Sequence, residues 1–312
     1  MLDNLIKDVK RYQGLTRKGF IKPLTRLEKT FKWGEDLFKY GDDCAVLKWG
    51  DEFLLLASDG IWSPLASDPF WMGYCSVLVN VNDVFAMGGK PLAMVNVLSA
   101  KEDTDRILEG IEAGCEKFRV PMVGGHTHPD APTSVAVSIL GRARRILTSF
   151  HAHPGQKVIL AVDLEGQQYK RFLNWDTTTM KSSEEVLYRL EALNTIADKE
   201  LATSCKDVSN PGILGSLGML LETSKVGASI DVEKIRIPEP LDLFQFVKMY
   251  PGYGFVLTVD VENVEEVTNI FENHHIFSEI IGEIVPERKL ILHYKDEKGI
   301  LFDFEKEFIC GF

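Results

Sequence analysis

No run of apolar residues in this sequence approaches the ~20 that a helix needs to cross a bilayer. The opening stretch, MLDNLIKDVKRYQG, lacks the apolar core of a secretion signal. Cysteine is scarce and scattered: Cys44, Cys75, Cys115, Cys205 and Cys310 form neither a Cys-x-x-Cys pair nor a zinc spacing. Together these absences lead us to expect a cytoplasmic, reducing location with no membrane contact. There is no Walker A loop and no dinucleotide-binding glycine fingerprint. Repeats and low-complexity tracts are missing as well. Cations are in deficit, with 35 Lys and Arg against 46 Asp and Glu and a formal charge of -11. Nucleic acid and anionic membrane are therefore not expected as main partners. The surplus of carboxylates instead suits a site built around divalent cations.

What remains is the composition of a globular protein, 312 residues with 45% hydrophobic, long enough for two domains. Its most informative stretch runs from Asp68 to Pro91, DPFWMGYCSVLVNVNDVFAMGGKP. Phe70, Tyr74, Val77, Val81 and Val84 recur at steps of three and four, which predicts an amphipathic to fully buried helix. Ser76, Asn80 and Asp83 share another side of it. A carboxylate there is costly to bury unless something positive meets it. Taken alone, Asp83 fits two roles: a hydrogen-bond acceptor for neighbouring backbone, or a ligand for a metal or substrate.

Before this helix, residues 41 to 60 read as two strands, Cys44 to Leu47 and Phe53 to Ala57, joined by a Gly50-Asp51 turn. Asp42 and Asp43 precede the first strand and Asp59 follows the second, so a hairpin brings three carboxylates to one end. Leu2, Ile6, Val9 and Tyr12 mark a short amphipathic helix, and the basic segment from Thr16 to Lys32 reads as either a lid or a solvated arm. Downstream we expect a strand from Leu92 to Leu98 and a helix from Thr104 to Phe118. A short strand from Val120 to Val123 then ends in Gly124-Gly125-His126-Thr127-His128, and another runs from Thr133 to Leu140. The turn residues of His151 to Gly155 make the best boundary, dividing the chain into domains 1–150 and 151–312. The second half alternates in the same way. It has a helix from Ser183 to Thr203, Asp207 and Asn210 ahead of a glycine-studded helix, and a helix from Leu241 to Met249. Such alternation gives an α/β or α+β class with helices laid on sheets.

Five ordered segments together resemble a known family: Gly41-Asp42-Asp43-Cys44-Ala45-Val46, Ser58-Asp59-Gly60, Asn80 through Pro91, Val123-Gly124-Gly125-His126-Thr127, and Lys206-Asp207-Val208-Ser209-Asn210. The chain resembles the aminoimidazole-ribonucleotide-synthetase-like superfamily, nearest its thiamine-monophosphate kinase and hydrogenase-maturation carbamoyl dehydratase branches, as an outlying member. The resemblance implies two α/β domains, the first pairing with its counterpart in a homodimer to build a shared β-barrel. It also implies ATP and Mg²⁺ in the cleft between the domains. Metal and phosphate roles would fall to Asp42, Asp43, Asp59, Asp83 and Asp207. Gly41, Ser58, Asn80, Gly124, Gly125 and Thr127 would lie beside the nucleotide, and Asp83, Asp207, His126 and Lys206 would carry the chemistry. The expected activity is ATP-dependent phosphorylation or activation of a small-molecule acceptor.

Two positions depart from the family pattern. His126 replaces the acid of a Gly-Gly-Asp-Thr motif, and Asn210 replaces the second acid of an Asp-x-Ser-Asp-Gly motif. Each change removes a hard anionic oxygen, which weakens the kinase assignment more than it weakens ATP binding. Three other readings stay open. His126 and His128, in a His-Thr-His-Pro-Asp130 run, match half of a zinc site. Cys310 matches a carrier cysteine bearing a group that ATP dehydrates, or is merely buried. A non-catalytic nucleotide-binding paralogue, assembled with partner proteins, fits the two missing acids. Arg142, Arg144 and Arg145 are either phosphate contacts or a solvated basic run.

Overall fold

A computed structural model describes residues 1–33, 40–61, 65–129 and 131–311 of the chain. The chain opens with α1 (Leu2–Arg11), the single turn α2 (Gln13–Thr16) and consecutive 3-10 turns over Arg17–Trp33. The first sheet is built from β1 (Ala45–Trp49), β2 (Glu52–Ile61), β3 (Lys90–Ser99), β4 (Met122–His128) and β5 (Ser134–Ala143), in the order β1-β2-β5-β3-β4. Helix α3 (Pro69–Ala86) follows β2, and α4 (Thr104–Phe118) makes the crossover between the parallel strands β3 and β4.

The strand expected to end at Val123 instead stays extended through His128, with Val97 opposite His126 and Ser99 opposite His128. A Cβ on Gly125 would run into Asn96 of the neighbouring strand, so this glycine serves close strand approach rather than chain reversal.

Helix α3 starts where its capping chemistry requires. The Asp68 carboxylate accepts from the Trp71 N–H (3.3 Å), and Pro69 occupies the first turn. From Trp71 to Ala86 every residue is buried, because α3 is enclosed between the first sheet, α4 and the second half of the chain. Its crossing with α4 is close. A Cβ on Gly73 would run into the Ile107 carbonyl, and one on Gly110 would run into the Phe70 carbonyl.

The second half adds β6 (Lys157–Val162), β7 (Gln167–Gln168), β8 (Trp175–Asp176), α5 (Ser183–Asp198), β9 (Ser204–Asp207), α6 (Gly212–Ser224) and β10 (Gly227–Asp231). It continues through α7 (Leu243–Phe246), β11 (Gly254–Val259), α8 (Val264–Asn273), β12 (Phe277–Val285), β13 (Lys289–Tyr294) and β14 (Glu297–Asp303). The large sheet runs β14-β13-β10-β12-β6-β11-β9, which leaves β9 at an edge. α5 stops at Asp198, short of the expected Thr203, because residues 199–203 turn back to begin β9. The helix expected from Leu241 to Met249 shrinks to one turn closed by an Asp242–Gln245 capping box.

Polar contacts join the halves around α3. Trp71 Nε1 donates to Asn174 Oδ1 (2.8 Å), Tyr74 shares a hydrogen bond with Thr178 (2.8 Å), and Asn194 Nδ2 donates to the Gly88 and Gly89 carbonyls (both 2.8 Å). The last pair satisfies carbonyls that the end of α3 leaves open. Helix α1 precedes the first sheet in sequence, yet it packs on the second half. Leu2, Leu5 and Val9 join the core that contains Leu301 and Phe302, and Lys10 pairs with Glu307 (2.7 Å).

The five-stranded sheet is open in the single chain, not closed into a barrel. Its face away from α3 exposes Leu56, Val95, Val97, Leu140 and, at 66%, Val123. No helix among the described residues is long and apolar enough to cross a membrane.

The α3–α4 crossing has little room for an added methyl. Gly110→Ala is expected to destabilise the protein by about 2 kcal/mol through overpacking, read as a lower urea midpoint at unchanged slope. Unaltered stability would show that the two helices can separate at no cost.

Candidate active site

Three elements deliver carboxylates to one place. In the β1–β2 hairpin Ala45 lies opposite Leu56. Continuing that register brings Asp42 level with Asp59, which the longer-than-expected β2 includes in the strand rather than after it. Strand β9, at the edge of the second sheet, ends at the seam between the halves and presents Lys206 and Asp207. Helix α3 brings Asp83. All five aspartates line one cavity of about 200 Å³, together with Lys206 and with Arg17 and Lys18 from the N-terminal segment. One carboxylate oxygen from each of Asp43, Asp83 and Asp207 lies within 4.8 Å of the others.

Charge balance at this seam is tight. The Lys206 ammonium forms an ion pair with Asp43, their side chains only 3% and 5% exposed. The Asp207 N–H donates to the other oxygen of Asp43 (3.3 Å). Burial works to lower the Lys206 pKa, but Asp43, Asp207 and Asp42 outweigh it and hold the ammonium above its ordinary value. Burial raises Asp83, reinforced by the neighbouring Asp59, Asp207 and Asp43 and opposed by Lys206. Burial and Asp43 likewise raise Asp207. Asp42 is pushed up to about 6 by burial, although Ser149 opposes this through its N–H and its hydroxyl (2.6 Å), both donated to Asp42 Oδ1.

This donor set fits Mg²⁺. Buried oxygens Asp42 Oδ2 and Asp207 Oδ1 have no hydrogen-bond partner among the described residues, and no hydrogen bond from them reaches the Asp83 carboxylate. Orphaned hard anionic oxygens of this kind are the ligands that Mg²⁺ takes. The polar neighbours of Asp83 on the helix are tied to the helix backbone as donors. Ser76 Oγ donates to the Gly73 carbonyl (2.7 Å), and Asn80 Nδ2 donates to the Ser76 carbonyl (2.8 Å).

The other residues singled out in the sequence lie elsewhere. Gly41 adjoins the cavity, its carbonyl accepting from Ser149 (2.9 Å). Asn80 is buried in α3 one turn before Asp83. Ser58 accepts a hydrogen bond from Ser138 (2.9 Å) in the first sheet. Gly124, Gly125, His126 and Thr127 lie on β4, at the opposite edge of that sheet from β1, and do not line the aspartate cavity. The His126 and His128 rings are 4.5 Å apart, and among the described residues no third ligand completes a metal site with them. Asp130 lies outside the described residues. Arg142 and Arg145 make exposed ion pairs with Glu52 and Glu200. Cys310 is 1% exposed, and burial pushes its thiol up to about 11. The buried Glu222 carboxylate accepts from the N–H groups of Ile309, Cys310 and Gly311, which pins the carboxy-terminal residues.

Sequence reasoning passed over Ser149, Arg17 and Lys18. Ser149 stands two residues before the domain boundary, and the basic character of 16–32 was the available signal for the other two.

Known proteins agree with this architecture. Residues 41–143 match the N-terminal domain of AIR synthase related proteins and residues 154–295 the C-terminal domain. An uncharacterised protein of Methanocaldococcus jannaschii is 48% identical over 99% of this chain and 99% of its own length. The selenide, water dikinase of Carboxydothermus hydrogenoformans is 28% identical over 68% of this chain and 64% of its own. Among solved structures, AaThiL complexed with AMPPCP and TMP shares the fold, with a TM-score of 0.66 at 19% identity over 89% of this chain and 96% of that one. With both of its halves matched in order, the chain belongs to the AIR synthase related family.

Proposed function

We propose that the chain is an ATP- and Mg²⁺-dependent enzyme that phosphorylates or activates a small-molecule acceptor. The observation that carries this reading is the convergence of Asp43, Asp83 and Asp207 within 4.8 Å, in a cavity that also holds Asp42, Asp59 and Lys206. Phosphate cannot approach five carboxylates without intervening cations. Mg²⁺ held by Asp43, Asp83 and Asp207 would supply that charge and orient the transferred phosphoryl group. Lys206, kept protonated by its carboxylate neighbours, offsets negative charge that develops during transfer. Asp43 positions this ammonium, and Ser149 holds Asp42. Support from relatives is of the same kind: AaThiL has been crystallised with AMPPCP and TMP, and a 28% identical relative is a selenide, water dikinase.

We further propose a homodimer formed through the open face of the first sheet. Leu56 lies directly opposite Leu140 on β5, and further along the same sheet Val95 and Val97 on β3 lie opposite Ser138 and Ala136. A contiguous apolar face of this kind on a two-layer domain calls for a cover. Ser58 and the β4 residues Gly124, Gly125, His126 and Thr127 belong to this sheet, so their nucleotide role depends on what the second copy brings to it. This reading takes the enzyme to be cytoplasmic, with neither a membrane nor nucleic acid as a partner.

Asp83→Asn is expected to lower ATP turnover about 100-fold or more with an unchanged circular dichroism spectrum. Normal turnover in the folded variant would remove the core of the reading. Mg²⁺-dependent ATP binding without turnover on any acceptor would instead favour a non-catalytic paralogue.

The metal-free site also makes stability depend on pH. Asp42 rises from 3.8 to about 6 on folding, so between those values the native state keeps a proton that the unfolded chain releases. Its contribution is full below about pH 4 and is lost as pH rises to about 6. In EDTA, the urea midpoint should fall across this interval. Mg²⁺ should restore more stability at pH 7.5 than at pH 5, where protons compete for the same oxygens. A midpoint in EDTA that climbs from pH 4 to 6 would contradict the burial assigned to these carboxyls.

For the dimer, Val97→Glu should convert a sedimentation profile of two chains to one. A wild-type protein that sediments as a single chain would refute the dimer.

A further inference from the structure

We propose that the acceptor enters a second cavity, adjoining the aspartate cavity, that selects a small molecule carrying an anionic group beside a flat ring. This rests on the function proposed above and specifies its substrate class. The second cavity measures about 350 Å³, the size range of small-molecule sites. It shares Arg17, Leu65, Asn210 and Tyr250 with the first, so the two cavities adjoin along these side chains.

Their charges are opposite. Five aspartates line the first cavity. The second has two guanidinium groups, Arg17 and Arg171, and no Asp or Glu among its described lining residues. In a chain of formal charge -11 this is a local reversal of sign. A guanidinium presents a planar fork that matches carboxylate and phosphate oxygens. Arg171 is held in place: it donates to Ser67 Oγ (2.8 Å), and its guanidinium lies 5.3 Å from the centre of the Phe172 ring. Tyr12 and Tyr250 supply aromatic wall, and burial raises both phenols, so they stay neutral. Charge orients an acceptor in this cleft. Its anion is drawn to Arg17 and Arg171, away from the nucleotide phosphates gathered at the aspartates, which leaves its opposite end at the phosphoryl-transfer site.

Two independent observations fit this polarity. Asn210, where the family pattern has an acid, lines both cavities. A carboxylate there would face an incoming anion, and the amide does not. Tyr12 and Arg17 lie outside the two family-matched ranges, on a segment that packs closely against Asn210: a Cβ on Gly14 would run into both its carbonyl and its side chain. The segment thus places Arg17 opposite the matched C-terminal domain, which contributes Arg171 to the same cavity.

The test is calorimetry on the full-length protein in MgCl2, with and without saturating AMPPCP, using phenyl phosphate, benzoate and benzylamine as probes. Phenyl phosphate or benzoate should bind in the presence of AMPPCP, with benzylamine at least tenfold weaker. Preference for phenyl phosphate assigns a phosphate-ester acceptor, and preference for benzoate a carboxylate one. Arg171→Ala and Asn210→Asp should each weaken the preferred anion about tenfold, with Arg171→Lys intermediate. The proposal is overturned by any of four results: benzylamine binding as tightly as the anions, no anion binding by the folded wild type, affinity unmoved by both Arg171→Ala and Asn210→Asp, or displacement of the anion by AMPPCP. Failure of AMPPCP itself to bind with Mg²⁺ counts against the nucleotide reading, while the anion and amine affinities still decide the pocket.

Discussion

The ion pair between Lys206 and Asp43 sets the terms for the rest of the seam. It links an edge strand of the second sheet to the segment that leads into the first, and both side chains are removed from water. Burying an ammonium and a carboxylate costs several kcal/mol each unless the pair is well matched, and here the carboxylates are in excess. One lysine faces Asp43, Asp207 and Asp42, and Asp83 and Asp59 are close behind. A cavity with this imbalance holds protons at low pH and attracts cations at neutral pH. It is a poor device for stability and a suitable one for gathering metal and phosphate.

Helix α3 makes the arrangement possible. A helix that delivers a carboxylate to the junction of two sheets is covered by both, and it must be apolar on every other side. Trp71 to Ala86 meet that condition. Glycines at the α4 crossing let the helix sit deep in the first half; toward the second half, Trp71 donates to Asn174, Tyr74 shares a hydrogen bond with Thr178, and the carbonyls after the last turn accept from Asn194. Asp83 is therefore held from both directions. The N-terminal segment adds a third participant, since it packs with the second core while placing Arg17 and Lys18 in the cleft.

Much of this was legible in local pattern. The three-and-four spacing from Phe70 to Val84 marked the buried helix, and the Thr104–Phe118 helix appears with the expected ends. The hairpin carboxylates and the Asp207 segment could be named as one site through a family resemblance, because the residue types that hold magnesium are few. Less was legible where pairing decides the outcome. The strand expected to end at Val123 runs on through Gly124-Gly125, because the neighbouring strand with Asn96 keeps it extended. For Cys310 the sequence left a carrier thiol and a buried one open, and the burial is decided by Glu222, far away in sequence, which draws the backbone N–H groups of Ile309 to Gly311 inward.

By itself, then, the sequence determined the alternation of strands and helices and the burial of α3, because periodicity is a local property, and through the family resemblance of its motifs it named the five aspartates. Tertiary structure alone decided that Ser149 would hold Asp42, that Lys206 would face Asp43, and that Arg17 would share a cleft with Asn210. Each of those pairs is separated by more than a hundred residues. Their meeting follows from sheet order and helix packing, which no local spacing encodes.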